Sequence, residues 1–132
     1  MQITLKKYFL LFGIGAVTYG LIEVVSRGYT HWTMALTGGA VFCTLYFVNT
    51  HIQVKSIILR SLIGGLIITA FEYNVGMIVN YGFGMGVWDY SDHAFNLFGQ
   101  ICLRFTLLWM LLCVPVTFMI FFLRKRFNKI LV

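Results

Sequence analysis

Charge is almost excluded from four long runs of this chain, and that exclusion limits its possible folds more than any other feature. The runs are Tyr8 to Val25, Trp32 to Asn49, about Ile57 to Val79 and about Ile101 to Leu123. A helix needs roughly 20 mostly apolar residues to cross a bilayer. The runs are continuous and lack the alternation of barrel strands, so helices are expected. Short polar segments, 26–31 and 50–56, separate the first three runs, and 80–100 is the one long loop. Hydrophobic types reach 60 % and charged types 11 % of the 132 residues, against roughly 45–50 % and about 25 % in ordinary globular domains. Too few charges remain to cover a soluble surface. The same composition excludes disorder, a disulfide scaffold and a collagen-like chain. The expectation is one transmembrane domain over residues 1–132: an all-α integral membrane protein, built as a bundle of four transmembrane helices.

The first run follows Lys6 and Lys7 and so has the outline of a signal peptide. It exceeds the usual apolar core of about 7–15 residues, and no clear small-residue cleavage site follows it. Glu23 lies near its end. It is read as a retained span.

The basic residues orient the chain. Lys6 and Lys7 precede span one, Lys55 and Arg60 lie between spans two and three, and Arg124, Lys125, Arg126 and Lys129 follow span four. These eight of the ten basic residues fall on one side, leaving Arg27 and Arg104 on the other. Basic loops stay in the cytoplasm, so both termini are expected there, in a multi-pass protein of the cell membrane. The net charge of +6 then requires no nucleic-acid partner, and the basic tail faces anionic lipid head groups. Cys43, Cys102 and Cys113 all fall within or at the edge of apolar runs without metal-ligand spacing, and read as core residues.

All four acids, Glu23, Glu72, Asp89 and Asp92, lie on the side away from the basic residues. An ionisable group inside a span is costly and normally faces the bundle or a wet cavity. Helical spacing sorts the polar residues into stripes at i, i+4 and i+8. Glu23, Arg27 and His31 form one if the helix runs on through Gly28; if Gly28 breaks it, only Glu23 and Arg27 share a face. Glu72, Gly76 and Asn80 form a second on span three. Asn96, Gln100 and Arg104 form a third at the start of span four. Two readings stand. In one, the carboxylates and arginines pair and lock the bundle. In the other they line a binding pocket, proton relay or acid/base pair open to the outside.

Metal-binding and hydrolase motifs are not evident. His31 beside Trp32 reads as a hydrogen-bonded anchor rather than a metal ligand with Glu23 and Glu72. There is no HExxH and no GxSxG. The string GFGMG, Gly82 to Gly86, lacks the ending of a phosphate loop and reads as a turn closing span three, so the chain has no ATP-binding motif. No cofactor is implied. In the loop, Trp88 and Tyr90 suit a membrane interface. Ser91 or Asp92 is placed to cap a short helix beginning HAFN, and Gly99 marks a bend. A re-entrant or interfacial segment between helices three and four, covering the polar cluster, is expected. Small residues at Ala16 and Gly20, Ala35 and Gly39, and Ser61, Gly65 and Thr69 predict close helix contacts. Pro115 predicts a kink in span four. Trp109 and the run 118–122 read as core- or lipid-facing.

The strings RGYTHWTM (Arg27 to Met34), the Glu72 to Asn80 stretch and WDYSDHAFNLFGQICLRFTLLW (Trp88 to Trp109) resemble the ABC-transporter type IV family of CmpB-like permeases. The likeness extends from about Tyr19 to Trp109. Family-like positions are Glu23, Arg27, Gly28, His31, Trp32, Glu72, Asn80, Trp88, Asp89, Tyr90, Ser91, Asn96, Gly99 and Gln100. Ala94 stands where the family pattern often has proline, and the basic tail departs from acidic family endings. The resemblance implies a small transporter permease component. Four helices make a poor solute pathway alone, so a homo-oligomer or larger membrane complex is expected, with any ATPase supplied by another chain. The alternatives are an intramembrane enzyme or lipid-binding protein, with Glu23, His31, Glu72 and Asp89 around a head group, and a scaffold in which the polar cluster is a lock.

Overall fold

A computed structural model describes residues 2–130. Four helices carry most of the chain: α1 (Gln2–Arg27), α2 (Trp32–His51), α3 (Ile57–Gly76) and α4 (Leu103–Ile130). A π-helical segment, Met77–Gly82, extends α3. The only strands among the described residues are a two-residue antiparallel pair, β1 (Asn96–Leu97) and β2 (Ile101–Cys102). Three stretches, Thr4–Arg27, Ile57–Gly82 and Leu103–Lys129, are long and apolar enough to cross a membrane. The α2 helix is not among them. Its ends, Trp32–Thr33 and Asn49–His51, dilute a helix of only 20 residues. Large apolar side chains such as Phe9, Leu21, Leu66, Leu111 and Phe122 stand exposed along the helices. In water such faces would associate; in lipid they are solvated.

The chain divides into two compact units. The first holds residues 1–52 and 118–132, the second residues 53–117. In the first, α1 and α2 form an antiparallel hairpin. Gly28, at φ +83°, ends α1 in a conformation that glycine adopts without strain. His31 then caps α2: the Thr33 N–H donates to Nδ1 at 3.3 Å, and the Thr33 hydroxyl lies 2.6 Å from the same nitrogen. His31 therefore leaves the α1 face, and of the expected stripe only Glu23 and Arg27 share a helix. The hairpin closes on Gly15 and Gly38. A Cβ at Gly15 would sit 2.5 Å from the Phe42 Cβ and 2.6 Å from the Gly38 carbonyl oxygen. One at Gly38 would collide with the Tyr19 Cβ. The predicted pair Ala16 and Gly20 is one residue out of phase, and Gly20 has nothing within 4 Å of its would-be Cβ. Gly39 does pack tightly, against the Phe12 ring.

In the second unit α3 meets α4 through Gly65, which lies against Met110, and through a 3.1 Å bond from the Thr69 hydroxyl to Thr106. Here the predicted small-residue face is the one used. The long loop differs from expectation. No helix follows Ser91 and Asp92; the chain forms turns and then the β1–β2 hairpin, whose bend is Gly99 at φ +72°. Since α4 begins only at Leu103, Asn96, Gln100 and Arg104 do not form a helical stripe. The α4 helix runs without a break through Pro115.

Candidate functional site

The second unit centres on Glu72, a carboxylate with 4 % of its surface exposed inside an apolar helix. The Tyr90 hydroxyl donates to Oε1 at 2.6 Å, and the Trp109 indole N–H donates to Oε2 at 2.9 Å. One donor comes from the loop and the other from α4, so the carboxylate ties both to α3. Leaving a buried carboxyl group without partners would cost roughly 1–3 kcal/mol or more, and these two hydrogen bonds satisfy it. Ring packing holds the Tyr90 hydroxyl in place, since its ring stacks on Phe105 at 4.7 Å and 14° and meets His93 edge-on at 5.6 Å.

The loop is seated on the same face of α3 and its π-helical extension. Gly76 has no side chain, and a Cβ there would strike the Gln100 Oε1 and come within 2.9 Å of the Trp88 ring. Gln100 Oε1 accepts from the Asn80 amide at 2.9 Å, and Gln100 Nε2 donates to the Phe98 carbonyl at 2.9 Å. Asn80 Oδ1 in turn accepts from the Val87 N–H at 2.6 Å. Trp88, buried, donates its indole N–H to the Gln100 carbonyl at 2.9 Å. It is an internal strut of the loop. The wider turns of the π-helical segment rotate less per residue than α turns, which carries Asn80 back toward the face of Glu72 and Gly76. The predicted stripe Glu72, Gly76 and Asn80 is thus one surface, and the loop covers it.

Asn96 and Asp89 work within the loop. The Asn96 amide donates to the His93 carbonyl at 2.8 Å, and its Oδ1 accepts from the Gly99 N–H at 3.0 Å. Asp89 is exposed; its Oδ1 accepts from the Ser91 N–H at 2.9 Å. That bond, with help from the Ser91 hydroxyl, holds the carboxyl below its ordinary range. Arg104 is exposed, with its guanidinium 6.0 Å from the Phe105 ring.

Glu23, Arg27 and His31 belong to the first unit. Glu23 Oε2 lies 2.6 Å from Arg27 Nε, an i, i+4 ion pair on α1, and the Arg27 guanidinium sits 4.7 Å over the Tyr29 ring. His31 serves as the α2 cap. Among the described residues no three His, Cys, Asp or Glu side chains cluster to hold a metal ion.

The sequence reading missed Trp109 as a partner of Glu72. A signal for it exists: an indole N–H inside an apolar helix needs an acceptor, and Glu72 is the sole acidic residue of its span.

The fold and site define a class: a helical protein with membrane-type surfaces and a buried carboxylate sealed by a loop. The chain belongs to the family described as "Putative ABC-transporter type IV", whose model matches residues 4–131. No curated protein and no solved structure matches it.

Proposed function

We propose that this chain is the membrane-embedded component of a transporter assembly, with the loop-covered Glu72 site on its extracytoplasmic side. It crosses the bilayer four times as a single membrane domain, with both termini in the cytoplasm. The distribution of basic residues supports that orientation. Exposed Phe83, Phe95 and Phe98 on the loop support a segment lying at the outer interface between helices three and four. ATP hydrolysis belongs to a separate chain, because this sequence has no nucleotide-binding motif, and further copies or partners complete the solute path.

One observation carries the reading of the site: both oxygens of Glu72 are engaged, one by the loop and one by α4. The group latches a cap onto two helices, and its release would free the loop. Purification in mild detergent after expression at native level from its own chromosomal locus tests the assignment. An ATPase chain should co-purify. Recovery of this chain alone from every mild detergent would argue against a transporter component. A cysteine replacing Ser91 should react with an impermeant thiol reagent in intact cells; reaction only after lysis would invert the topology.

The same observation supports a second reading, a scaffold whose polar cluster is only a lock, because Glu72 is buried and both of its oxygens accept from side chains of the chain itself. Glu72→Gln separates the two. In the scaffold it lowers thermal stability and leaves transport proportional to the folded amount. In the transporter component it lowers transport per folded molecule.

A further inference from the structure

We propose that a second copy of this chain docks on the face of α3 that carries Asn74, with the two Asn74 carboxamides hydrogen-bonded to each other. Asn74 is exposed, and it belongs to Ile57–Gly82, a stretch long and apolar enough to cross a membrane. It lies about 7 Å past the middle of that stretch at helical rise, within the roughly 15 Å half-thickness of a hydrocarbon core. Apolar side chains flank it toward both ends of the helix. Leu66 and Ala70 come two turns and one turn before it, and Ile78 and Tyr81 one and two turns after it; all four are exposed. Asn74 is therefore a polar group within an apolar stripe. Glu72, Gly76 and Asn80 occupy the other side of the helix, where Asn80 spends its carboxamide on Gln100 and the Val87 N–H.

A carboxamide has two N–H donors and an oxygen with two lone pairs. Asn74 donates within its own helix to the Ala70 carbonyl at 2.7 Å. One such bond does not satisfy the group. On a lipid-facing surface there is no water to complete the set, so a polar group brought from outside the helix removes a real cost.

The amide selects its occupant. Copies inserted with the same topology hold Asn74 at one depth. A two-fold axis along the membrane normal then sets a residue near the axis against its own counterpart. An amide is self-complementary, because each one can donate to the oxygen of the other. A second copy thus brings both donor and acceptor to the required depth. Ala70, one turn away, is small enough to let two helices approach closely, and Leu66, Ile78 and Tyr81 extend the apolar contact. The inference rests on α3 spanning the membrane, as proposed above, and does not depend on the chain's carrying a solute.

Asn74→Cys in the otherwise unchanged chain tests this in native membranes, by mild oxidation and mass-spectrometric mapping of the disulfide. The introduced thiol should link to the same position of a second copy. Ala70→Cys should link likewise, whereas Val75→Cys, about 100° round the helix from Asn74, should not. The wild-type chain measures the background from Cys43, Cys102 and Cys113. Absence of the link from position 74, equal linking from position 75, or linking to a different protein would each overturn the proposal. Förster transfer between donor- and acceptor-labelled copies in dioleoyl phosphatidylcholine vesicles then measures the amide pair. Asn74→Leu should weaken association about tenfold, as expected for two interhelical hydrogen bonds, and Asn74→Gln, which keeps the amide, less than about threefold. Unchanged transfer in Asn74→Leu would refute the amide pair. Carbonate extraction separates the two levels of failure: release of the wild-type protein from the membrane would refute the span, and retention without the link would refute only the interface.

Discussion

The α1–α2 hairpin is closed by backbone against backbone, whereas α3, its loop and α4 are tied by polar side chains around one carboxylate. In the hairpin, Gly15 and Gly38 leave no room for a methyl group. In the second unit, Glu72, Tyr90, Trp109, Asn80 and Gln100 exchange hydrogen bonds across elements that are far apart in sequence. The first kind of contact fails abruptly when volume is added. The second fails by degrees, as individual donors and acceptors are removed.

The sharpest break of this comparison is Gly38→Leu. The neighbours are the Tyr19 Cβ and the Gly15 carbonyl, neither the far end of a flexible chain. The expected loss is about 3 kcal/mol, read as a collapse of the thermal midpoint in detergent. A mild effect would mean the hairpin does not rely on backbone contact. Next comes Glu72→Gln. The amide keeps one acceptor and turns an N–H₂ group toward the second donor, so about 2 kcal/mol should be lost. Tyr90→Phe removes only the donor on the loop side, and about 1.5 kcal/mol is expected. Combined with Glu72→Gln, its cost should differ from the sum, because Tyr90 and Glu72 share one hydrogen bond that each variant alters. Strict additivity in that cycle would show that the Tyr90 bond contributes nothing.

Two smaller effects sharpen the contrast. Gly20→Ala lies on the hairpin but off its contact, so it should raise helix stability by about 0.5 kcal/mol; a marked loss would put Gly20 in an interface. Asp89 should show itself only in acid. Its pKa in the folded loop is depressed by the Ser91 N–H. Its stabilisation is therefore present above the ordinary carboxylate pKa and disappears as pH falls through the lower folded value. The protection factor of the Ser91 amide, its exchange rate relative to the intrinsic rate at each pH, should drop there and stay flat from neutral pH down to the ordinary carboxylate range. Asp89→Asn should abolish the dependence.

How much of this was legible beforehand varies by element. Glu72, Gly76 and Asn80 formed a visible stripe because helix periodicity is a local property. Glu23 and Arg27 could be paired for the same reason. The third stripe was not legible. Asn96, Gln100 and Arg104 have helical spacing, yet Gly99 at positive φ and the β1–β2 pairing take the first two out of any helix. Periodicity cannot see a hairpin that forms because Gln100 and Trp88 have a socket at Gly76. The Gly15–Gly38 contact lies one residue from the Ala16 and Gly20 pair, since i+4 spacing along one helix does not encode which residues meet across two helices.

The sequence by itself determined the class of protein and its helices. Those follow from composition and from periodicity, which each segment carries within itself. Tertiary structure decided which donors reach Glu72, which glycines must be glycines, and that Lys7 lies over Tyr46, the ring that Phe127 packs against. These depend on which residues meet across helices, and helix spacing along the chain does not encode that.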